Sequence, residues 1–324
     1  MCPPVNKGDP CVRPNPPKRC GTNKLRLSVP PRIYRGPAGP LGCHVSIAGG
    51  FRYAPGRGRD LGAAAIQVFT RSPRAWSAPP LSDEDVVSFP AAVAREGIAA
   101  VVAHAMYLIN LGSANDGLRR RGIDTFVDEI KRCARLGIGR IVIHPGSVGT
   151  MSPEQGLRRI LAALKEAVKR TRDSSVVILL ENTAGMGGSL GHSLAQLAWL
   201  IDRHPRPERL GLCLDTAHAL AAGYSLDETD GLARLLDEID ERIGLPRLGC
   251  LHINDSKTPR ASRVDRHARI GEGFLGREFF QRLLAEPRLF GVPKILEAPG
   301  GDDAFRGDLR LLARLARRAL SGGA

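Results

Sequence analysis

The 324-residue chain lacks the features that would place it in a membrane or outside the cell. No apolar run approaches the roughly 18 residues that span a bilayer, and the N-terminus has no apolar segment typical of a secretory signal. The seven cysteines are odd in number and include no close Cys-x-x-Cys pair, which argues against a disulfide framework. The sequence therefore predicts a reduced, cytoplasmic protein that has no membrane partner.

The chain has fewer acidic than basic residues, with 33 Asp and Glu against 47 Lys and Arg, which gives a net charge of +14. This excess favours a polyanionic partner such as nucleic acid, although a general preference for Arg would give the same composition. Residues 1–39 are rich in Pro and basic residues and show no periodicity. We predict that they form a disordered tail, followed by one domain spanning 40–324. By default the tail has no function of its own, and the alternatives are a nucleic-acid-binding arm or a targeting segment.

From Leu41 onwards, short apolar runs alternate with helical patterns. The runs end near eight residues: His44, Phe69, His104, His144, Glu181, Asp215, His252 and Glu297. Helices are predicted over 82–97, 124–136, 152–171, 194–201, 232–243, 279–284 and 309–320, with Pro90 shortening or kinking the first. Eight βα units over roughly 280 residues have the size of a single (β/α)₈ TIM barrel. An open doubly wound sheet is the alternative.

Nine potential metal ligands stand at or just beyond these strand ends: His104, His144, Glu181, Asp215, His218, His252, Asp265, His267 and Glu297. Zinc and manganese favour imidazole and carboxylate ligands. A barrel gathers all strand ends on one face, whereas an open sheet would spread them over roughly 25 Å, so the ligands favour the barrel. Any one of them alone is better explained as a core or capping residue. Nine together exceed one tetrahedral zinc and suit two or three ions with a bridging carboxylate.

These segments resemble the endonuclease IV family, the zinc-dependent apurinic/apyrimidinic (AP) endonucleases of base-excision repair (AP endonuclease family 2). The similar segments run in unbroken order over about residues 41–320. They include HVSIAGG from His44, FTRSPRAW from Phe69, HAMYLINLG from His104, IHPGS from Ile143, ENTAGMGGSLG from Glu181, LDTAHALAAGY from Leu214, HINDSK from His252, SRVDRH from Ser262, GEGFLG from Gly271 and ILEAPG from Ile295. All nine ligand positions of the family are filled.

The resemblance implies three zinc ions, with manganese an option at one site. One ion would be held by His104, His144 and Glu181, a second by Glu181, Asp215, His252 and Glu297, and a third by His218, Asp265 and His267. Glu181 would therefore bridge two ions and position a hydroxide nucleophile, which makes it the expected catalytic residue. The implied reaction is cleavage of double-stranded DNA 5′ to an abasic site, leaving a 3′-hydroxyl and a 5′-deoxyribose phosphate. The implied protein is a monomer in the cytoplasm, associated with the nucleoid.

The resemblance also implies DNA contacts. Arg74, Tyr107 and Leu108 match side chains that push into the duplex at the lesion, although ordinary loop packing would explain the last two without it. His44 is expected to contact substrate or support the ligands. Basic loop residues are expected to contact phosphates: Arg71, Lys257, Arg260, Arg263 and Arg266.

The chain departs from the family pattern at Ala105, Met186 and Ala217, which stand where an acidic residue, a Gln and a Cys are usual. Met186 would remove a hydrogen bond near the extruded sugar-phosphate, whereas the absent Cys is not a ligand. Two other functions stay open. One is a metal-dependent sugar isomerase or epimerase on the same barrel, and the other is a DNA-binding protein without catalysis. The complete ligand set argues against both.

Overall fold

The computed structural model of the protein describes residues 33–321. Eight parallel strands form a closed barrel, with the order β1-β8-β7-β6-β5-β4-β3-β2 around it. They are β1 (Leu41–His44), β2 (Ala65–Phe69), β3 (Ala100–His104), β4 (Arg140–Ile143), β5 (Val177–Glu181), β6 (Leu210–Asp215), β7 (Leu248–His252) and β8 (Lys294–Leu296). The predicted (β/α)₈ barrel is confirmed, and every strand ends within one residue of the predicted position.

Helices follow each strand and pack around the barrel. Within 33–321 they are α1 (Ala54–Leu61), α2 (Asp83–Arg95), α3 (Asp116–Arg135), α4 (Pro153–Arg170), α5 (Leu194–Asp202), α6 (Thr216–Ala222), α7 (Gly231–Arg242), α8 (Gly276–Ala285) and α9 (Gly301–Ser321). The sequence patterns miss α1 and α6. Pro90 does not end α2, which continues through this exposed residue to Arg95.

A layer of small and apolar side chains closes the barrel beneath the strand ends. Its members are all buried: Ala65, Val102, Val142, Leu179, Cys213, Cys250 and Ile295. Ala65 lies two residues before Gln67 in the middle of β2, and each of the others lies two residues before a predicted ligand at or next to the carboxyl end of its strand. Residues two apart on a strand face the same side, so this layer forms the floor of a polar layer above it. The thiols of Cys213 and Cys250 are free and fully buried.

The N-terminal boundary of the packed domain lies before residue 40. Residues 1–32 of the predicted tail are outside the described residues. Tyr34 and Ala38, which follow, are buried in the main hydrophobic core. Among the residues described, no helix is long and apolar enough to cross a membrane.

Candidate metal centre

Glu181, the last residue of β5, lies at the centre of the polar layer. Its Oε2 is 3.2 Å from Nε2 of His104 and 3.0 Å from Nε2 of His144. Its Oε1 is 3.0 Å from Nδ1 of His252 and 3.3 Å from Nδ1 of His218. One buried carboxylate therefore contacts four imidazoles that come from four different parts of the chain.

A second group of donors joins Glu181 to the neighbouring strands β6, β7 and β8. One donor atom from each of Glu181, Asp215, His252 and Glu297 lies within 4.8 Å of the others. Asp215 is also the N-cap of α6, because its Oδ1 accepts the backbone N–H of His218 at 2.7 Å. This cap fixes how Asp215 and His218 face each other.

Asp265 and His267 complete the cluster from the long loop that follows β7. The two oxygens of Asp265 lie 3.2 Å from Nε2 of His218 and 3.3 Å from Nε2 of His267. Both of these nitrogens are buried, and neither has a hydrogen-bond partner in the part of the chain that the structure describes. The fold thus brings all nine predicted ligands together on one face of the barrel.

The composition of the cluster fits divalent metal ions of the zinc type. It offers only imidazole nitrogens and carboxylate oxygens, which are the donors that zinc prefers alongside thiolate. Among the described residues, the four carboxylates form ion pairs with histidines and with no Lys or Arg. Buried charges need such partners or a metal, and the two imidazole nitrogens without a hydrogen bond are also donors that a cation would satisfy.

Three amide side chains, to which the sequence patterns assign no role, bind the ligand residues through a carboxylate or the backbone. Gln67 donates from Nε2 to Oε1 of Glu297 at 2.6 Å, and its Oε1 lies 2.8 Å from Nε2 of His252. Asn254 donates to Oδ2 of Asp215 at 2.7 Å, and Asn182 accepts the N–H of Asp215 at 2.6 Å. Groups that orient metal ligands in this way tune affinity and geometry. Asn182 and Asn254 lie within two residues of a predicted ligand in the sequence, whereas Gln67 lies on β2, which carries none.

His44 and Ala105, which the sequence analysis singled out, lie next to the cluster and not in it. Nδ1 of His44 is 3.2 Å from Nε2 of Gln67, and its ring packs on Phe69 with centroids 4.4 Å apart. Nδ1 of His104 donates to the backbone carbonyl of Ala105 at 2.7 Å. Because a backbone atom holds His104, the missing acidic side chain at position 105 is not needed for this contact.

The side chains expected to contact DNA lie on loops at the same face. Tyr107 is 64% exposed and Leu108 is 40% exposed on the loop after β3. Arg74 and Lys257 are also exposed on the loops after β2 and β7. All four are therefore accessible beside the cluster, as a contact with a large substrate requires.

Helix α3 fixes two of these loops, and it corrects one expectation. Arg71 is buried, donates to Trp76 O at 3.0 Å and pairs with Asp128 at 2.6 Å. It therefore anchors the loop after β2 instead of contacting phosphate. The neighbouring Glu129 is fully buried and accepts the N–H of Met106 at 3.3 Å, and burial raises its pKa to about 8.

A closed parallel barrel that carries this donor set at its strand ends defines a metal-dependent (β/α)₈ enzyme. The family model described as "Xylose isomerase-like TIM barrel" matches residues 57–315. A protein of Trichlorobacter lovleyi named "Probable endonuclease 4" is 44% identical over 263 residues, which are 81% of this chain and 94% of that protein. The chain belongs to the endonuclease IV family, and it is a hydrolytic DNA-repair nuclease.

Solved structures agree with this assignment. The crystal structure of endonuclease IV from Thermus thermophilus matches with a TM-score of 0.78 and 36% identity, covering 86% of this chain and 99% of that one. A D-tagatose 3-epimerase-like protein matches with a TM-score of 0.67 but only 19% identity, covering 87% and 100%. At this identity the second likeness is one of fold alone, so it shows that the sugar-directed alternative shares the barrel and nothing more.

Proposed function

We propose that the protein hydrolyses the phosphodiester on the 5′ side of abasic sites in double-stranded DNA, using three zinc ions. The observation that carries the proposal is the convergence of five imidazoles and four carboxylates at one face of the barrel. His104, His144 and Glu181 would hold one ion, and Glu181, Asp215, His252 and Glu297 a second. The third would lie between His218, Asp265 and His267, with manganese an option at one position.

The role of the protein is to hold charge and substrate in place. Bound zinc would supply positive charge that makes water more acidic and stabilises the negative charge of the reacting phosphate. Glu181, which contacts imidazoles from both of the first two groups, would keep these groups at a fixed separation. The amides of Gln67, Asn182 and Asn254 would keep the carboxylates oriented while the substrate binds.

Selectivity for the lesion would come from the exposed loops. Arg74, Tyr107 and Leu108 would enter the duplex, while Lys257 would contact a phosphate and His44 would support the substrate side of the site. Insertion costs a few kcal/mol of unstacking, and a site that has already lost its base costs less to extrude. A single barrel presents all of these groups, so we also propose that the enzyme acts as a monomer on DNA in the cytoplasm, at the nucleoid.

The test measures incision of a duplex that contains one abasic analogue. Three samples are compared: the protein as purified, the metal-stripped protein, and the stripped protein reconstituted with zinc or manganese. We expect metal-dependent cleavage on the 5′ side of the lesion and a product with a 3′-hydroxyl. A protein that carries about three zinc ions per chain and leaves the duplex intact would contradict the proposal. Assays of ketose epimerisation and aldose–ketose isomerisation on the same sample then test the sugar-directed alternative.

A further inference from the structure

One large apolar side chain on the face of the metal cluster has no role in the site described above. Phe274 lies on the loop between β7 and α8, and 55% of its surface is exposed. That loop leaves β7 at its carboxyl end and also carries Asp265 and His267. Phe274 is therefore presented near the cluster instead of on the outer surface of a helix.

The backbone beneath Phe274 is held by a single buried carboxylate. Asp255 is fully buried, and at 2.9–3.3 Å it accepts backbone N–H groups from four residues of the loop: Gly271, Gly273, Leu275 and Gly276. At Gly273 a Cβ would lie 2.3 Å from the carbonyl of Ser256, so the tight path of the chain requires glycine there. An exposed aromatic ring on a backbone fixed in this way loses little conformational freedom when it binds a partner.

Hydrogen bonds connect Phe274 to the cluster in two steps. Its N–H donates to the carbonyl of Ser256 at 2.8 Å. Ser256 pairs in turn with His267 in a short antiparallel ribbon. Two neighbouring spacings of about 4.8 Å each put the backbone of Phe274 about 10 Å from that of His267, which is about three stacked base steps of DNA.

The surroundings of Phe274 suit nucleic acid. Lys257 and Arg266 are exposed and extend the two strands of the same ribbon, where the N–H of Lys257 donates to the carbonyl of Arg266 at 2.9 Å. Basic side chains beside an exposed aromatic ring are the combination with which proteins hold unpaired bases. In addition, β7 lies four strands from β3 in the eight-stranded barrel, so the loop that carries Phe274 leaves the barrel on the side opposite to the loop of Tyr107 and Leu108.

We propose that Phe274 stacks on the face of a DNA base beside the lesion, so that the lesion is held from both sides. The inference rests on the proposed function, because an abasic site is what leaves a base unpaired. That base is either the one opposite the lesion or a neighbour exposed when the duplex bends. Phe274 would then contribute to affinity and lesion selectivity, and not to the chemical step.

The experiment compares Phe274→Ala, Phe274→Trp and the wild type on an abasic duplex whose scissile linkage cannot be hydrolysed. Stacking on one base predicts that Phe274→Ala binds this duplex about 5- to 150-fold more weakly, with a smaller loss on intact duplex. Phe274→Trp should restore affinity, and its added tryptophan emission should change when the abasic duplex binds. Val87→Ala is the matched control, because Val87 is 74% exposed on α2, outside the loops of this face.

A second duplex that also lacks the base opposite the lesion identifies the base. If the loss caused by Phe274→Ala disappears on that duplex, Phe274 stacks on the opposite base, and if it persists, on a neighbour. Equal binding of the abasic duplex by Phe274→Ala and Val87→Ala, with unchanged tryptophan emission, would overturn the proposal. Failure of the wild type to incise a cleavable abasic duplex would instead overturn the proposed function, while the emission of Phe274→Trp still reports contact with DNA.

Discussion

At Glu181, two opposing effects act on one carboxylate. Burial alone would raise its pKa, but the nearby His252 and His144 imidazoles hold the pKa well below its usual range. The side chain is thus kept as an anion inside the barrel, where cations are its natural partners. The strand-end pattern predicted Glu181 as a ligand from sequence. Its contacts with four imidazoles depend on barrel closure, which no local pattern contains.

Substituting Glu181 tests its central position. Glu181→Gln keeps the shape of the side chain but removes the charge. We expect incision of abasic DNA to fall at least about 100-fold and bound zinc per chain to decrease, while the circular dichroism of the barrel is kept. Turnover close to that of the wild type would show that Glu181 does not join two metal ions.

The exposed ring of Tyr107 can be tested by substitution in the same way. Its inner edge packs on Phe69, with ring centroids 5.3 Å apart, so part of the side chain is structural. We expect Tyr107→Ala to weaken binding to an abasic duplex more than to an intact one, by about 1–3 kcal/mol. Tyr107→Phe, which keeps the ring, should bind like the wild type. Equal losses on both duplexes would make Tyr107 a packing residue only.

Lys294 gives a pH-dependent contribution to stability far from the proposed chemistry. Its buried Nζ donates to the carbonyls of Leu289 at 2.8 Å and Val292 at 3.0 Å. Burial lowers its pKa from 10.5 to about 7. Between these pH values, Lys294 binds a proton in the unfolded chain but not in the folded protein. The free energy of unfolding therefore falls as the pH decreases from 10.5 towards 7, and above pH 10.5 this loss is absent.

The matched variant for this effect is Lys294→Met, which cannot titrate. From pH 7 to pH 9, we expect the free energy of unfolding of the wild type to rise by about 2 kcal/mol relative to the variant. Denaturant titration at the two pH values measures the difference. A parallel pH dependence in both proteins would mean that Lys294 keeps an ordinary pKa in the folded state.

At the scale of elements, the strands were predictable and some helices were not. Each strand is a β-branched or apolar run that stops at or beside a polar residue, so the pattern marks its end. Helix α1 has Pro55, Gly56 and Gly58 within eight residues, a composition that disfavours helix. Close packing on β2 stabilises α1 in spite of this composition. Glycine permits that packing, because a Cβ at Gly58 would lie 2.4 Å from Ile66. That tertiary reason is absent from local sequence.

Two helical glycines make this argument testable. At Gly156, in α4, a Cβ would lie 1.8 Å from Cγ1 of Val148. At Gly56, in α1, no heavy atom lies within 4 Å of a Cβ. We expect Gly156→Ala to destabilise the protein by about 1–3 kcal/mol through overpacking and Gly56→Ala to stabilise it by up to about 1 kcal/mol. Thermal unfolding of both variants measures this difference, and stabilisation by both would contradict the close packing of α4.

For the whole molecule, the sequence predicted the barrel because only a closed sheet unites ligands from distant strands. It could not predict the amides that orient those ligands or the burial of Arg71. Both depend on which strands and loops meet at the top of the barrel, and a local sequence pattern does not contain that information. Arg71 was expected to contact phosphate, but it is buried and pairs with the half-exposed carboxylate of Asp128. The sequence of a loop does not show whether a basic side chain faces solvent or packs inward.

The N-terminal segment is strongly basic, so its role in DNA binding can be tested by deleting it. Residues 1–32 contain seven Lys and Arg against one Asp, whereas Tyr34 and Ala38 belong to the core. The deletion should therefore end at residue 32, because removing residues up to 39 would also damage packing. We expect the shortened protein to incise abasic DNA with an unchanged kcat, since all nine cluster residues are kept.

Affinity measured between 50 and 200 mM salt then separates a passive tail from a DNA-binding arm. Each phosphate neutralised by a basic side chain steepens the fall of log K with log salt concentration by about 0.9. A passive tail, which we expect by default, leaves this slope unchanged after deletion. An arm with several phosphate contacts would make the slope of the full chain steeper by several units, and the excess of charge would then have a direct role in finding DNA.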